Sequence, residues 1–114
     1  MKERTVSEHL QEKLKDPYFK ELHELEQQKY GIVKKIIDYR IKEGLTQGQL
    51  AKKIGVSQQH ISKIENGEFS SVSTLEKVLL GIGMTVRFRV IELNTRAKKR
   101  IAQVMNRHKH LQLA

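Results

Sequence analysis

Four polar side chains close together in the chain, Gln58, Gln59, Ser62 and Lys63, are the residues whose chemistry is easiest to place. A glutamine amide donates and accepts at once, so it can pair with the edge of a base. A lysine adds a mobile positive charge for phosphate or guanine oxygens. Such groups read a partner only if something rigid holds them. In the stretch TQGQLAKKIGVSQQHISKIENG, from Thr46 to Gly67, almost every other position has a separate positioning role.

Thr46 is expected to cap a first helix with its hydroxyl, which leaves Gln47 at the helix start pointing outward while Leu50 and Ile54 mark the inward stripe. Gly55 ends that helix, because a glycine permits the left-handed backbone of a tight turn, and Val56 fills the corner behind it. Ser57 is placed to cap a second helix. Ile61 and Ile64 face the core from it, and Gln58, Gln59, Ser62 and Lys63 occupy its outer face near the N-terminus. Ala51 is small where two steeply crossing helices approach, and Asn66-Gly67 supplies the stop. The pattern predicts a helix-turn-helix. A glutamine pair alone would suit the solvent face of any helical bundle, but here it follows a turn whose glycine, aliphatic plug and small residue are all correctly spaced.

On these residues the chain resembles the Cro/repressor-like, or Xre-type, helix-turn-helix proteins, whose signature Gln47, Ala51, Gly55, Val56, Ile61 and Glu65-Asn66-Gly67 reproduce. The resemblance implies that Gln58 and Gln59 open a recognition helix and read base edges, with Lys63 on a further base-reading position. It also implies that Gln47 and Asn66 grip phosphates, with Ser57 helping to fix the backbone register. Arg40 and Glu65 fall on a pair that forms a buried salt bridge in that family, a structural role.

Composition agrees with a polyanionic partner. The 114 residues allow one domain with tails and a small core, and the formal charge of +9 favours phosphate, whose neutralisation releases counterions. Acidic lipid would satisfy the charge as well. No apolar run is long enough to span a bilayer and the N-terminus lacks the apolar centre of a signal peptide, so a cytoplasmic protein without membrane contact is expected. The absence of cysteine excludes disulfides and thiolate metal sites. His9, His23, His60, His108 and His110 form no ligand set with metal spacing, and no nucleophile motif, glycine-rich phosphate loop or paired carboxylate stands in an apolar segment. No enzyme activity, metal or cofactor is expected.

Before the helix-turn-helix, residues 1–30 read as a weak helix or a tail, with a sparse stripe of Val6, Leu10 and Leu14 behind Ser7 as a candidate cap, then a helix opened by Asp16-Pro17. Tyr18, Leu22 and Leu25 share one face of that helix. Asp16, Glu21, Glu24 and Glu26 outweigh Lys20, so the segment is acidic. It suits either packing on the protein's own core or docking of a basic protein. The segment also resembles the HigA-like antitoxins, in which Asp-Pro-x-Phe precedes the helix-turn-helix; Asp16, Pro17 and Phe19 match. That resemblance implies binding of a small basic toxin of the RelE/HigB type, an mRNA-cleaving ribonuclease, and repression of the protein's own operon. Tyr18, Phe19, Glu21, Leu22, Glu24 and Leu25 are the candidate docking residues. The subgroup often has a proline where this chain has Gln28, so the two helices can be continuous here.

The DNA-binding domain is expected over residues 31–83. Its first helix, near Gly31 to Glu43, carries Ile32, Val33, Ile36, Ile37 and Ile41 and stops at Gly44; its last, capped by Ser73 with Glu76 completing a capping box, carries Leu75, Val78, Leu79 and Ile82 and ends at Gly81 and Gly83. In residues 84–93 the period changes: Val86, Phe88 and Val90 alternate with Arg87, Arg89 and Ile91, which predicts a strand with no partner in the chain. Pairing with a second copy would satisfy it and would set two recognition helices roughly 34 Å apart for a palindromic operator on double-stranded DNA. Residues 94–114 form a basic tail, with Arg96, Lys98, Lys99, Arg100, Arg107 and Lys109 and an amphipathic pattern in Ile101, Val104, Met105 and Leu111. The expected fold is therefore mainly α: a lambda-repressor-like bundle with an added N-terminal helix and a C-terminal β-strand that pairs across a homodimer.

Overall fold

A computed structural model describes residues 5–113, with side chains as far as residue 108. The side chains of Lys109, His110 and Leu111 lie outside the described residues. Among the described residues six helices follow in order: α1 (Val6–Lys13), α2 (Pro17–Lys42), α3 (Gln47–Ile54), α4 (Gln58–Glu65), α5 (Val72–Gly81) and α6 (Thr95–Leu113). They belong to two compact units, one spanning Gln27–Arg89 and the other joining the described residues before 27 to those after 89.

In the Gln27–Arg89 unit the apolar stripes meet as the spacing requires. Ile36 of α2, Leu50 and Ala51 of α3, Ile61 and Ile64 of α4, and Leu75, Val78 and Leu79 of α5 are buried together with Ile82. Five of these, Ile36, Leu50, Ile61, Leu75 and Val78, are almost wholly removed from solvent. Each such side chain contributes roughly 1.5–3 kcal/mol of transfer free energy. Val56 and Ile54 are half-buried against this core, as the corner plug and the inward stripe predict. Ile41 is not part of it. It is 64% exposed, because α2 is in its last turn there and residue 41 has rotated off the stripe.

The turn between α3 and α4 is built as expected. Thr46 accepts the Gln49 backbone N–H at 3.1 Å, and Gln49 returns the contact to the Thr46 N–H at 2.9 Å, so the cap is reciprocal. Gly55 has φ +86°, and its N–H donates to the Ala51 carbonyl at 2.8 Å. Lys77 of α5 donates to the Gly55 carbonyl at 3.1 Å, closing the other side of the turn. Replacing Gly55 with Val is therefore expected to destabilise the protein by about 2 kcal/mol or more, because a left-handed backbone costs a non-glycine residue roughly 1–2 kcal/mol and a β-branched one more. Thermal unfolding followed by circular dichroism checks this; an unchanged midpoint would contradict the turn.

Three boundaries differ from the sequence expectation. α1 is capped by Thr5, not Ser7, since Thr5 and Glu8 form a reciprocal capping box. α5 is capped by Ser71, whose hydroxyl accepts the Thr74 N–H at 3.2 Å, so its cap lies two residues before the expected Ser73 and Glu76 completes no capping box. Serines stand at both 71 and 73, and capping at the earlier one adds two residues, about half a turn, to a helix that buries Leu75. The helices flanking Gln28 are one continuous element, α2. At the other end of α5, Gly81 is the last helical residue, and a Cβ there would lie 2.9 Å from Ile54.

The expected C-terminal β-strand is corrected: among the described residues there is no strand, and 84–93 is an extended connection. The alternation is real at its start, where Met84 and Val86 are half-buried against the core while Thr85 and Arg87 are exposed. Alternation fixes which side faces inward, but a strand also needs a ladder of paired backbone groups, and no neighbour here supplies one. Val86 is therefore committed to its own core, whereas Phe88 and Val90 are 61% and fully exposed.

In the other unit the basic tail is the helix α6, capped by Asn94, whose side-chain Oδ1 accepts the Ala97 N–H at 2.8 Å. Ala97 and Val104 are buried. Asp16 caps α2 through the Tyr18 N–H at 3.1 Å and also takes Arg100 in a two-point pair, Nε to Oδ1 at 3.0 Å and Nη2 to Oδ2 at 3.1 Å. The Arg100 hydrogen bond holds the Asp16 carboxyl below its ordinary range, against a smaller opposing effect of burial, and the Tyr18 N–H adds to the lowering. A carboxyl lowered in the folded state stabilises above its unfolded value, and that contribution is lost as pH falls through the folded one. Carbon-detected NMR titration should find Asp16 titrating below the ordinary range of about 4. In the Arg100→Gln variant it should move up toward that range; an unmoved value would show that the pair does not form.

Candidate nucleic-acid interface

α4 is a short rod, eight residues and roughly 12 Å long, fixed at both ends. At its N-terminus Ser57 accepts the His60 N–H at 3.3 Å, and the Ser57 hydroxyl lies 3.1 Å from His60 Nδ1. At its C-terminus Glu65 takes a two-point pair from Arg40 of α2, Nε to Oε2 at 2.8 Å and Nη2 to Oε1 at 2.9 Å. Arg40 Nη1 donates in addition to the Leu45 carbonyl at 3.1 Å. The Glu65 side chain is only 5% exposed and that of Arg40 19%. The hydrogen bond that Arg40 donates to Glu65 raises the Arg40 pKa above its ordinary value, with burial opposing it. The salt bridge implied by the resemblance is thus present, and it pins the last residue of α4 to the end of α2.

What α4 presents between these pins is an open polar face. Gln58, Gln59 and His60 are exposed in its first turn, and Lys63 is exposed one turn on; Ser62 is half-buried. Asn66 is exposed at the C-cap, where its backbone N–H is already used by the Ser62 and Lys63 carbonyls at 3.1 Å each. Gln47 departs from the simple outward picture. It is half-buried, and its amide donates to Glu65 Oε1 at 3.3 Å, so it extends the Arg40 pair. Its backbone N–H, in the first turn of α3, has no intrahelical acceptor and still suits a phosphate oxygen.

Two further cations stand near the turn. Lys53 donates to the Tyr39 hydroxyl at 2.7 Å and lies 5.3 Å from the centre of that ring. Lys77 is held on the Gly55 carbonyl, as described above. Sequence reasoning did not single out these lysines, since their partners are 14 and 22 residues away. The recess beside Lys63, bounded by His60, Glu68, Ser70 and Thr74, has a volume of only about 10 Å³. Small-molecule pockets are roughly 300 Å³ and larger, so this face offers a surface and not a cavity.

The residues expected to dock a protein partner lie in the other unit and divide into two groups. Leu22 and Leu25 are 45% and 50% exposed, beside exposed Glu21 and Glu24. Tyr18 and Phe19 are half-buried, with Phe19 stacked on His23 at 6.1 Å and 5.7 Å from Lys13 Nζ. Glu21 also lines a groove of about 390 Å³ together with Lys15, Lys20 and Arg96.

Among the described residues no helix is long and apolar enough to cross a membrane, and no three His, Asp or Glu residues are gathered as a metal site. No curated protein and no solved structure matches the chain. A model of a helix-turn-helix family matches residues 36–88, which runs from Ile36 in α2 through α3, α4 and α5 to Phe88. The match supports a DNA-binding transcriptional regulator built on a helix-turn-helix over residues 36–88.

Proposed function

We propose that this chain is a cytoplasmic, sequence-specific repressor that inserts α4 into the major groove of operator DNA, acts as an antitoxin toward a small basic toxin, and regulates the operon encoding both. It acts by binding, with no catalytic residue assigned. Gln58, Gln59 and Lys63 read bases, while Ser57, Gln47 and Asn66 fix the phosphate register. The observation that carries the DNA reading is the exposed Gln58-Gln59 pair on a helix pinned at both ends. A homodimer suits a palindromic operator, and Phe88 and Val90 are exposed for such a contact.

The toxin reading rests on the resemblance of Asp16-Pro17-x-Phe19 and on the exposed stripe of Leu22 and Leu25 among Glu21, Glu24 and Glu26. A basic partner gains both apolar burial and charge complementarity there. A second reading, a plain repressor, is favoured by the Asp16 pair with Arg100, which spends part of that acidity inside the protein. Affinity purification of the tagged full chain from its native host, with mass spectrometry of what is retained, separates the two. The antitoxin reading requires a small basic protein in near-stoichiometric amount, lost when Leu22 and Leu25 are both changed to Asp. If none is retained while operator binding persists, the plain repressor stands.

A further inference from the structure

Gly48 stands at the second position of α3, with an ordinary right-handed helical backbone. Nothing in its conformation calls for glycine, and alanine would favour the helix by up to about 1 kcal/mol. What the absent side chain leaves is space. A Cβ built at residue 48 would lie 3.1 Å from Gln58 Oε1 and 3.6 Å from its Cδ, with Thr46 Oγ1 next at 3.9 Å. The amide of Gln58, the first residue of α4, therefore rests on the bare Cα of Gly48.

We propose that Gly48 is a specificity-determining positioning residue: its missing side chain is the seat that sets where the Gln58 amide meets the base edge. This rests on the reading of Gln58 as a base-contacting residue. Among the described residues no hydrogen bond holds the Gln58 amide, which lies instead against α3 at Gly48. A contact of 3.1 Å is tighter than ordinary carbon packing, and the flexible end of Gln58 yields before the helix backbone does. The amide is then displaced by a few tenths of an ångström or turned to another rotamer. Bidentate pairing with a base needs both heavy-atom distances close to 2.9 Å and good angles, so a small displacement weakens discrimination without breaking the fold.

The test is a double-mutant cycle on the full-length chain, with operator and random-sequence duplexes as probes. Gly48→Ala is expected to keep or raise the thermal midpoint while weakening operator binding about 3- to 10-fold, with random-sequence binding unchanged. In the Gln58→Ala background, Gly48→Ala should have no further effect on the operator. An operator affinity unchanged by Gly48→Ala overturns the proposal. So does an equal loss on random DNA or in the Gln58→Ala background, either of which would place the added methyl against the DNA backbone. If Gln58→Ala itself leaves operator discrimination intact, the base-reading role fails and takes the seat with it.

Discussion

Glu65→Ala is expected to lower the unfolding free energy by up to about 3 kcal/mol, the lower end of the loss typical when one member of a buried ion pair is removed, because this pair is only part-buried. Arg40 would keep only its hydrogen bond to the Leu45 carbonyl, inside a region where its side chain is four-fifths removed from solvent. Such a loss is a large share of the 5–15 kcal/mol that holds a small domain together. Urea unfolding of Glu65→Ala, Arg40→Met and the double variant Arg40→Met/Glu65→Leu checks the cause. The double variant is expected to lie nearer the parent than either single one, because an apolar pair leaves no stranded charge. If the double variant loses as much as the two single variants together, the pair is not the source of the stability.

The second large effect falls on recognition. Gln58→Ala and Gln59→Ala should each cost roughly 1–3 kcal/mol toward the operator, so the double variant loses most of the discrimination. Random-sequence affinity and its dependence on salt should barely change, because neither residue carries a charge and the phosphate contacts remain. Lys63→Gln should behave differently, flattening the salt dependence as well as weakening binding. An equal loss on operator and random DNA after the glutamine changes would remove base reading from these residues.

How much of this was legible in the sequence depended on whether a feature was local. Thr46, Gly55 and Ser57 announce their roles within four residues of where those roles are carried out, and the structure places each as expected. The core stripes were legible because 3.6-residue spacing sends Leu50, Ile61, Ile64 and Leu75 to one side whatever they meet. Where two equivalent residues competed, as Ser71 with Ser73, the boundary moved. Where a feature needed a partner, the sequence could propose only half of it: the alternation begun at Val86 specified a facing side there, failed at the exposed Phe88 and supplied no ladder. Arg100 looked like part of a solvated basic tail, and its partner Asp16 lies 84 residues earlier. Gly48 was silent for a different reason. A glycine placed for someone else's side chain has no pattern of its own.

The measurement that bears most directly on DNA reading by α4 is selection from a random duplex library by the full-length protein, beside the Gln58→Ala/Gln59→Ala variant. The parent should enrich a discrete motif bound at least about 10³-fold more tightly than random duplex at physiological salt. The variant should bind DNA without enriching that motif. If the parent enriches no sequence, or the variant enriches the same one equally well, α4 is not the reader.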